Sequence, residues 1–128
     1  MAPKLYVMYV SPPCRAVMMV AKAIGLELDI EEVEREALRT PEMLEVGRSQ
    51  PRQVLTELLQ LNPQHTVPIL VDDDFVIWDS HAIAGYLVGQ YGEDDTLYPK
   101  DAIRKRAVID QRLHFENGVL YERCRAAS

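Results

Sequence analysis

Apolar and polar positions alternate in blocks along this chain, and the blocks change period. Lys4 to Val10 (KLYVMYV) is a short run rich in β-branched and aromatic residues, bounded by Pro3 and by Ser11-Pro12. That pattern predicts a mostly buried strand. From Cys14 to Ile24 the apolar residues Ala16, Val17, Met18, Met19, Val20, Ala21 and Ala23 predict a helix apolar nearly all round, covered on more than one side and stopped by Gly25. Leu28, Ile30 and Val33 mark a second strand. With a helix between them, the two strands are expected to pair in parallel through a right-handed crossover.

The segment Glu31 to Leu61 is strongly charged. Polar residues followed by proline, Thr40-Pro41 and Gln50-Pro51, predict two short helix starts, the second helix covering Val54, Leu55, Leu58 and Leu59. Thr66 to Val71 and Phe75 to Trp78 flank Asp72-Asp73-Asp74 and read as an antiparallel hairpin. Asp79-Ser80 then precedes a helix from His81 to Gln90 carrying Ile83, Tyr86, Leu87 and Val88. The predicted fold class is α/β, a βαβ unit, a helical connection and a ββα unit over residues 1–92. Residues 93–100 (EDDTLYPK) are acidic and turn-rich, which suits a linker. Beyond it Asp101 is placed to cap a long helix running to about Arg123, with Ile109, Leu113 and Leu120 on one face. That helix is expected to lack a partner in this chain and so to be the first element, over 101–128, of a truncated all-α domain.

Composition narrows the function classes. The 128 residues suit a single α/β unit of this size, and 48% are hydrophobic. Fourteen Lys and Arg against twenty Asp and Glu leave a net charge of -6. Phosphate backbones and anionic membranes are poor partners for such a surface. No run approaches the roughly 20 apolar residues needed to span a bilayer, and the N-terminal run fails as a signal peptide. Two cysteines, Cys14 and Cys124, do not stand at metal-ligand spacing. A cytoplasmic location, reduced thiols and no metal are expected.

Three corners carry candidate chemistry. Ser11, at the mouth of the first helix, faces open backbone N–H groups and the positive end of the helix dipole, where an anion is stabilised; by itself a serine there is a helix cap. Val67-Pro68 puts a proline at the start of a strand, which implies special geometry, a cis peptide being one candidate, and leaves the Val67 backbone free for an extended ligand. At Asp79-Ser80-His81, Ser80 and the following N–H groups could hold a carboxylate and Asp79 an ammonium, although, taken by itself, the pair is explained better as a helix cap.

Taken in this order, the motifs SPPCRAV at 11–17, NPQHTVPIL at 62–70, DSHAI at 79–83 and YGEDDTLYPKD at 91–101 resemble the N-terminal thioredoxin-like domain of cytosolic glutathione S-transferases. The pattern is most similar to the insect delta and epsilon classes, and His81 suits epsilon better. The resemblance implies that Ser11 donates a hydrogen bond to the sulfur of glutathione and favours its thiolate. It implies that His65 lies near the glycine end, that the Val67 backbone pairs with the cysteinyl segment, and that Pro68 is a cis proline. Asp79 and Ser80 would grip the γ-glutamyl ammonium and carboxylate, with His81 beside them. Tyr121 and Arg125 would line the electrophile pocket, although a solvated terminal charge is the plainer reading of Arg125.

The chain departs from that pattern in two ways. The family usually carries Glu where Asp79 stands, and the connection Arg35 to Leu58 is longer by about ten residues, an insertion that surface loops tolerate. Cys14 stands where thioredoxin-like redox enzymes place a second cysteine, but the first, attacking cysteine is Ser11, so Cys14 reads as a small packed residue. His114 and Phe115 read as helix-face packing, Tyr6, Tyr9 and Trp78 as core, and Glu31 to Glu36 as a solvated face.

The implied activity is glutathione transferase chemistry on apolar electrophiles, with glutathione as co-substrate, in detoxification. The partners implied are glutathione, the electrophile and a second subunit, in a homodimer or with a full-length relative. The alternative is a truncated, non-catalytic module that holds glutathione or pairs with a subunit. A 128-residue chain holding one helix of the second domain is expected to turn over weakly or not at all.

Overall fold

The computed structural model describes residues 2–34 and 60–127. Strand β1 (Lys4–Val7), helix α1 (Pro12–Ala23) and strand β2 (Asp29–Glu32) are followed by β3 (Ile69–Asp72), β4 (Phe75–Trp78) and helix α2 (Ser80–Tyr91). Helix α3 (Ile103–Phe115) passes through a π-helical stretch, Glu116–Leu120, into α4 (Tyr121–Ala127). The sheet order is β2-β1-β3-β4, with β1 and β2 parallel and the other neighbours antiparallel. This is the thioredoxin-like α/β arrangement expected from the sequence. The predicted helices at Thr40-Pro41 and Gln50-Pro51 and the insertion Arg35 to Leu58 lie outside the described residues.

Alternation along the strands sends side chains to opposite faces. Leu5, Val7 and Leu70 meet Cys14, Val17 and Ala21 of α1 and Ile83 and Leu87 of α2 on one face, while Tyr6 and Ile69 meet Val33 on the other. Each fully buried aliphatic side chain contributes roughly 1.5–3 kcal/mol. One reading of this core holds in part and one is corrected. The sheet and α2 cover α1 on more than one side, as expected, but Met19 is 71% exposed and Ala23 is exposed too, so these two apolar positions of the helix are not covered. Tyr9 is 48% exposed and is no core residue: β1 stops at Val7, and the amide of Ser11 turns back to the Met8 carbonyl at 2.9 Å.

Helix ends follow local chemistry. Gly25, at φ 73, closes α1: its amide reaches Lys22 O at 3.1 Å and that of Leu26 reaches Ala21 O at 2.9 Å, the paired bonds of a Schellman cap. In the hairpin Asp72 belongs to β3, and the turn is Asp73-Asp74 with Asp73 at φ 55. Asp is one of the few side chains that tolerates that region.

The C-terminal helix departs from expectation in three ways. Its N-cap is Ala102 rather than Asp101, which supplies only a backbone carbonyl to Ile103 N at 2.9 Å. The helix also has partners in the chain. Ile109 and Leu113 share a cavity of about 210 Å³ with Val20, Ala84, Gly85, Val88, Leu97 and Tyr98, and the Tyr98 hydroxyl donates to Asp110 Oδ1 at 2.7 Å. Third, Phe115 is 52% exposed and His114 exposed, so neither packs on a helix face. Among the described residues no helix is long and apolar enough to cross a membrane.

Candidate functional site

Strand directions decide where the three corners meet. Tyr6, near the end of β1, pairs with Ile69 at the start of β3, and Ile69 pairs with Trp78 at the end of β4. Because β3 runs against both neighbours, the segments after β1, before β3 and after β4 emerge at one end of the sheet. Ser11, Val67-Pro68 and Asp79-Ser80 occupy those three segments.

At the first corner Ser11 is the N-cap of α1 in extended conformation (φ -80, ψ 120), and its side chain caps no helix N–H. Pro12 and Pro13 carry no N–H, and the Arg15 amide is used by the Ser11 carbonyl at 3.1 Å. The Cys14 amide is therefore the open donor of this first turn. The Cys14 side chain is wholly buried, and burial pushes its thiol pKa up, opposed by hydrogen bonds from the Ser11 hydroxyl and the Met8 backbone. A thiol held protonated and out of solvent is a poor nucleophile.

At the second corner the Val67-Pro68 peptide is cis. The loop before it is organised by Asn62, which heads the NPQHTVPIL motif but carried no expected role. Asn62 is fully buried; its amide nitrogen donates to Thr66 O at 2.8 Å and to Thr66 Oγ1 at 2.9 Å, and its Oδ1 accepts from Gln64 N at 2.8 Å. The Asn62 carbonyl accepts from His65 N at 2.9 Å, and His65 sits at φ 56. An asparagine at the first position of a turn, here directly before Pro63-Gln64, is the signal that could have found it, since such side chains bond to the backbone two positions on.

The third corner is set by Asp79, an exposed N-cap at φ 77 and ψ 118 whose carboxylate accepts from Ala82 N at 3.3 Å. That backbone conformation costs a non-glycine residue about 1–3 kcal/mol. The Ser80 and His81 amides stand in the open first turn of α2, where an anion is favoured.

The remaining candidates diverge from these corners. His81 Nε2 lies 2.6 Å from Glu116 Oε2 in the π-helical stretch, so its side chain is engaged with the C-terminal helix. Tyr121 and Arg125 are on α4, where Arg125 lies 3.3 Å from Glu122 and its guanidinium stands 6.0 Å from the Tyr121 ring. Arg125 is exposed, as its plainer reading held.

The profile of the family described as glutathione S-transferase, N-terminal domain, matches residues 5–95. Among curated relatives, glutathione S-transferase 1 of Manduca sexta is 49% identical over 123 residues, 96% of this chain and 51% of that protein. Among solved structures, Bombyx mori glutathione transferase BmGSTD1 superposes with a TM-score of 0.78 at 44% identity, covering 96% of this chain and 50% of that one. A glutathione transferase homologue from Drosophila mojavensis, solved with bound glutathione, gives 0.75 at 43% identity, covering 92% and 48%. Chains described as delta-class and as epsilon-class are both among the structural matches. The chain spans about half the length of the relatives it matches.

Proposed function

Because this chain belongs to the glutathione S-transferase family through its N-terminal domain, we propose that the three corners form a glutathione site and that the protein joins glutathione, through its thiolate, to apolar electrophiles. The observation that carries the proposal is the convergence of Ser11, Val67-Pro68 and Asp79-Ser80 at one end of the sheet. The Ser11 hydroxyl caps no helix N–H and bonds to the Cys14 thiol in the unliganded chain; with glutathione bound it turns to donate to the glutathione sulfur instead. An ordinary thiol titrates near ~8.5, so only a few per cent is thiolate at neutral pH, and a hydrogen bond to the anion raises that fraction. The thiolate attacks the electrophilic carbon, a carbon–sulfur bond forms, and the leaving group departs with the electron pair or an activated double bond takes it up. Rate comes from positioning and thiolate stabilisation.

The Val67 backbone pairs with the cysteinyl segment, and His65 lies towards the glycine end. Asp79 binds the γ-glutamyl ammonium, and the α2 N-terminus with Ser80 binds the carboxylate. His81 acts beside this corner through its bond to Glu116. Tyr121 and Arg125 face the electrophile. The setting we propose is cytoplasmic detoxification of foreign compounds.

A pairing role is favoured by one further observation. Ile103, Val108, Phe115, Val119 and Leu120 are between 40% and 67% exposed along the C-terminal helix, an apolar surface in water that a partner could cover. We assign it to subunit association, in a homodimer or with a full-length relative; a light-scattering mass that stays monomeric at every concentration would contradict this.

Calorimetric titration with glutathione tests the site. Heat of binding is expected from the wild type, and ultraviolet absorbance of the bound thiolate at neutral pH is expected to disappear in Ser11→Ala. Turnover of an aromatic electrophile, where present, falls with it. A wild type that gives no heat overturns the reading.

A further inference from the structure

Asn62 is the single polar residue at 0% exposure among the described residues, and the bonds its side chain makes among those residues run to Gln64 and Thr66, within the four residues after it. Its orientation is unambiguous. Thr66 O can only accept, so the amide nitrogen faces it; Gln64 N can only donate, so Oδ1 faces that.

We propose that Asn62 is a positioning residue for the ligand, aiming the Val67 N–H out of the fold; the proposal rests on the glutathione reading above. The aim follows from peptide geometry. The cis bond of this segment is Val67-Pro68, so the Thr66-Val67 peptide is trans, and in a trans peptide the C=O and N–H point in opposite directions. The Thr66 carbonyl is held inward by the buried Asn62 amide at 2.8 Å. The Val67 N–H therefore points the other way, and it has no acceptor among the described residues. The Val67 side chain packs against both core clusters, which fixes the far side of the same unit. Thr66 Oγ1 holds the second amide hydrogen at 2.9 Å, so the amide cannot turn without losing two bonds. An extended peptide laid along Val67 would meet a donor already in place and would not have to order it on binding.

Two measurements test this. In Asn62→Ala the glutathione dissociation constant, read by calorimetry, is expected to rise on the order of tenfold, the worth of one well-placed hydrogen bond. The pKa of the bound glutathione thiol should not move, because Ser11 is untouched; a purely structural lesion would give a lower melting temperature with an unchanged dissociation constant, and that result overturns the proposal. Since loss of a buried amide can prevent folding, the second measurement uses the wild type alone. Amide exchange followed by NMR should show Val67 N–H exchanging freely in the unliganded chain and becoming protected on saturation with glutathione. Protection before glutathione, or none after it, overturns the role of Asn62. A wild type that binds no glutathione at all overturns the site reading beneath it, which the calorimetry reports separately.

Discussion

The Tyr86 hydroxyl donates to Asp72 Oδ2 across 2.6 Å, joining the middle of α2 to the last residue of β3. Tyr91, one helical turn and a residue further on, donates to the same oxygen at 2.7 Å. The Asp72 carboxylate raises both phenols, each to about 12, chiefly through these hydrogen bonds. The folded-state values lie above the unfolded one near ~10. The stabilisation is therefore fully present below pH 10 and is lost as pH rises through the folded values. Stability measured by denaturant titration is expected to be flat with respect to these two groups from neutrality to about pH 10, then to fall towards pH 12. In Tyr86→Phe,Tyr91→Phe that alkaline limb should shrink.

The engagement of His81 with Glu116 yields a second expectation. The pair is partly exposed, 19% and 41% for the two side chains, so its energy is modest, about 0–1 kcal/mol. Its position matters more, because it ties the first turn of α2 to the π-helical stretch. Glu116→Gln is expected to change the unfolding free energy by less than about 1 kcal/mol, to weaken the salt dependence of stability, and to raise hydrogen exchange in residues 116–127 before that in the sheet. Equal exchange in the two regions of the variant would dismiss the tie.

Much of the architecture was legible because prolines, glycines and short polar residues mark corners by local rules. Ser11-Pro12 began a helix, Gly25 ended it, and Asp79-Ser80 began the next, although the strand expected to run to Val10 stopped at Val7. What was hidden depends on partners distant in sequence. Asp72 read as one of three equivalent turn aspartates, and only the return of α2 over β3 brings Tyr86 and Tyr91 to it. His81 read as a ligand-side residue because Glu116 lies 35 positions away, on a helix expected to be unpartnered. Tyr9 read as core and Phe115 as helix-face packing from their chemistry alone, yet the turn after Val7 and the outer face of α3 leave them in water. Asn62 was overlooked because an asparagine before a proline is ordinary loop composition until its burial is known.

The two cysteines are expected to separate cleanly. Cys124 is exposed on α4, whereas Cys14 is buried with its thiol pKa pushed up. An aromatic disulfide reagent at neutral pH should titrate one thiol quickly in the folded chain and the second only on unfolding. Cys14→Ser should leave the first phase intact and remove the second; fast reaction of Cys14 in the folded protein would mean that the first turn of α1 opens readily.

Asp79 allows the cap and the ligand contact to be told apart. Its φ of 77 is costly for any side chain, and its carboxylate offsets part of that cost by accepting from Ala82 N at 3.3 Å. Asp79→Ala keeps the strained backbone and loses the cap, so a loss of about 1 kcal/mol is expected. Asp79→Gly also loses the cap, but glycine relieves the strain while gaining chain entropy in the unfolded state, so stability should stay within about 1 kcal/mol of the wild type. Binding should not follow this order. An ammonium held by the carboxylate is lost equally in both variants, so glutathione affinity measured by calorimetry should fall to the same extent whether the variant is stable or not. Affinity that tracks stability instead, preserved in Asp79→Gly and lost in Asp79→Ala, would make Asp79 a cap alone.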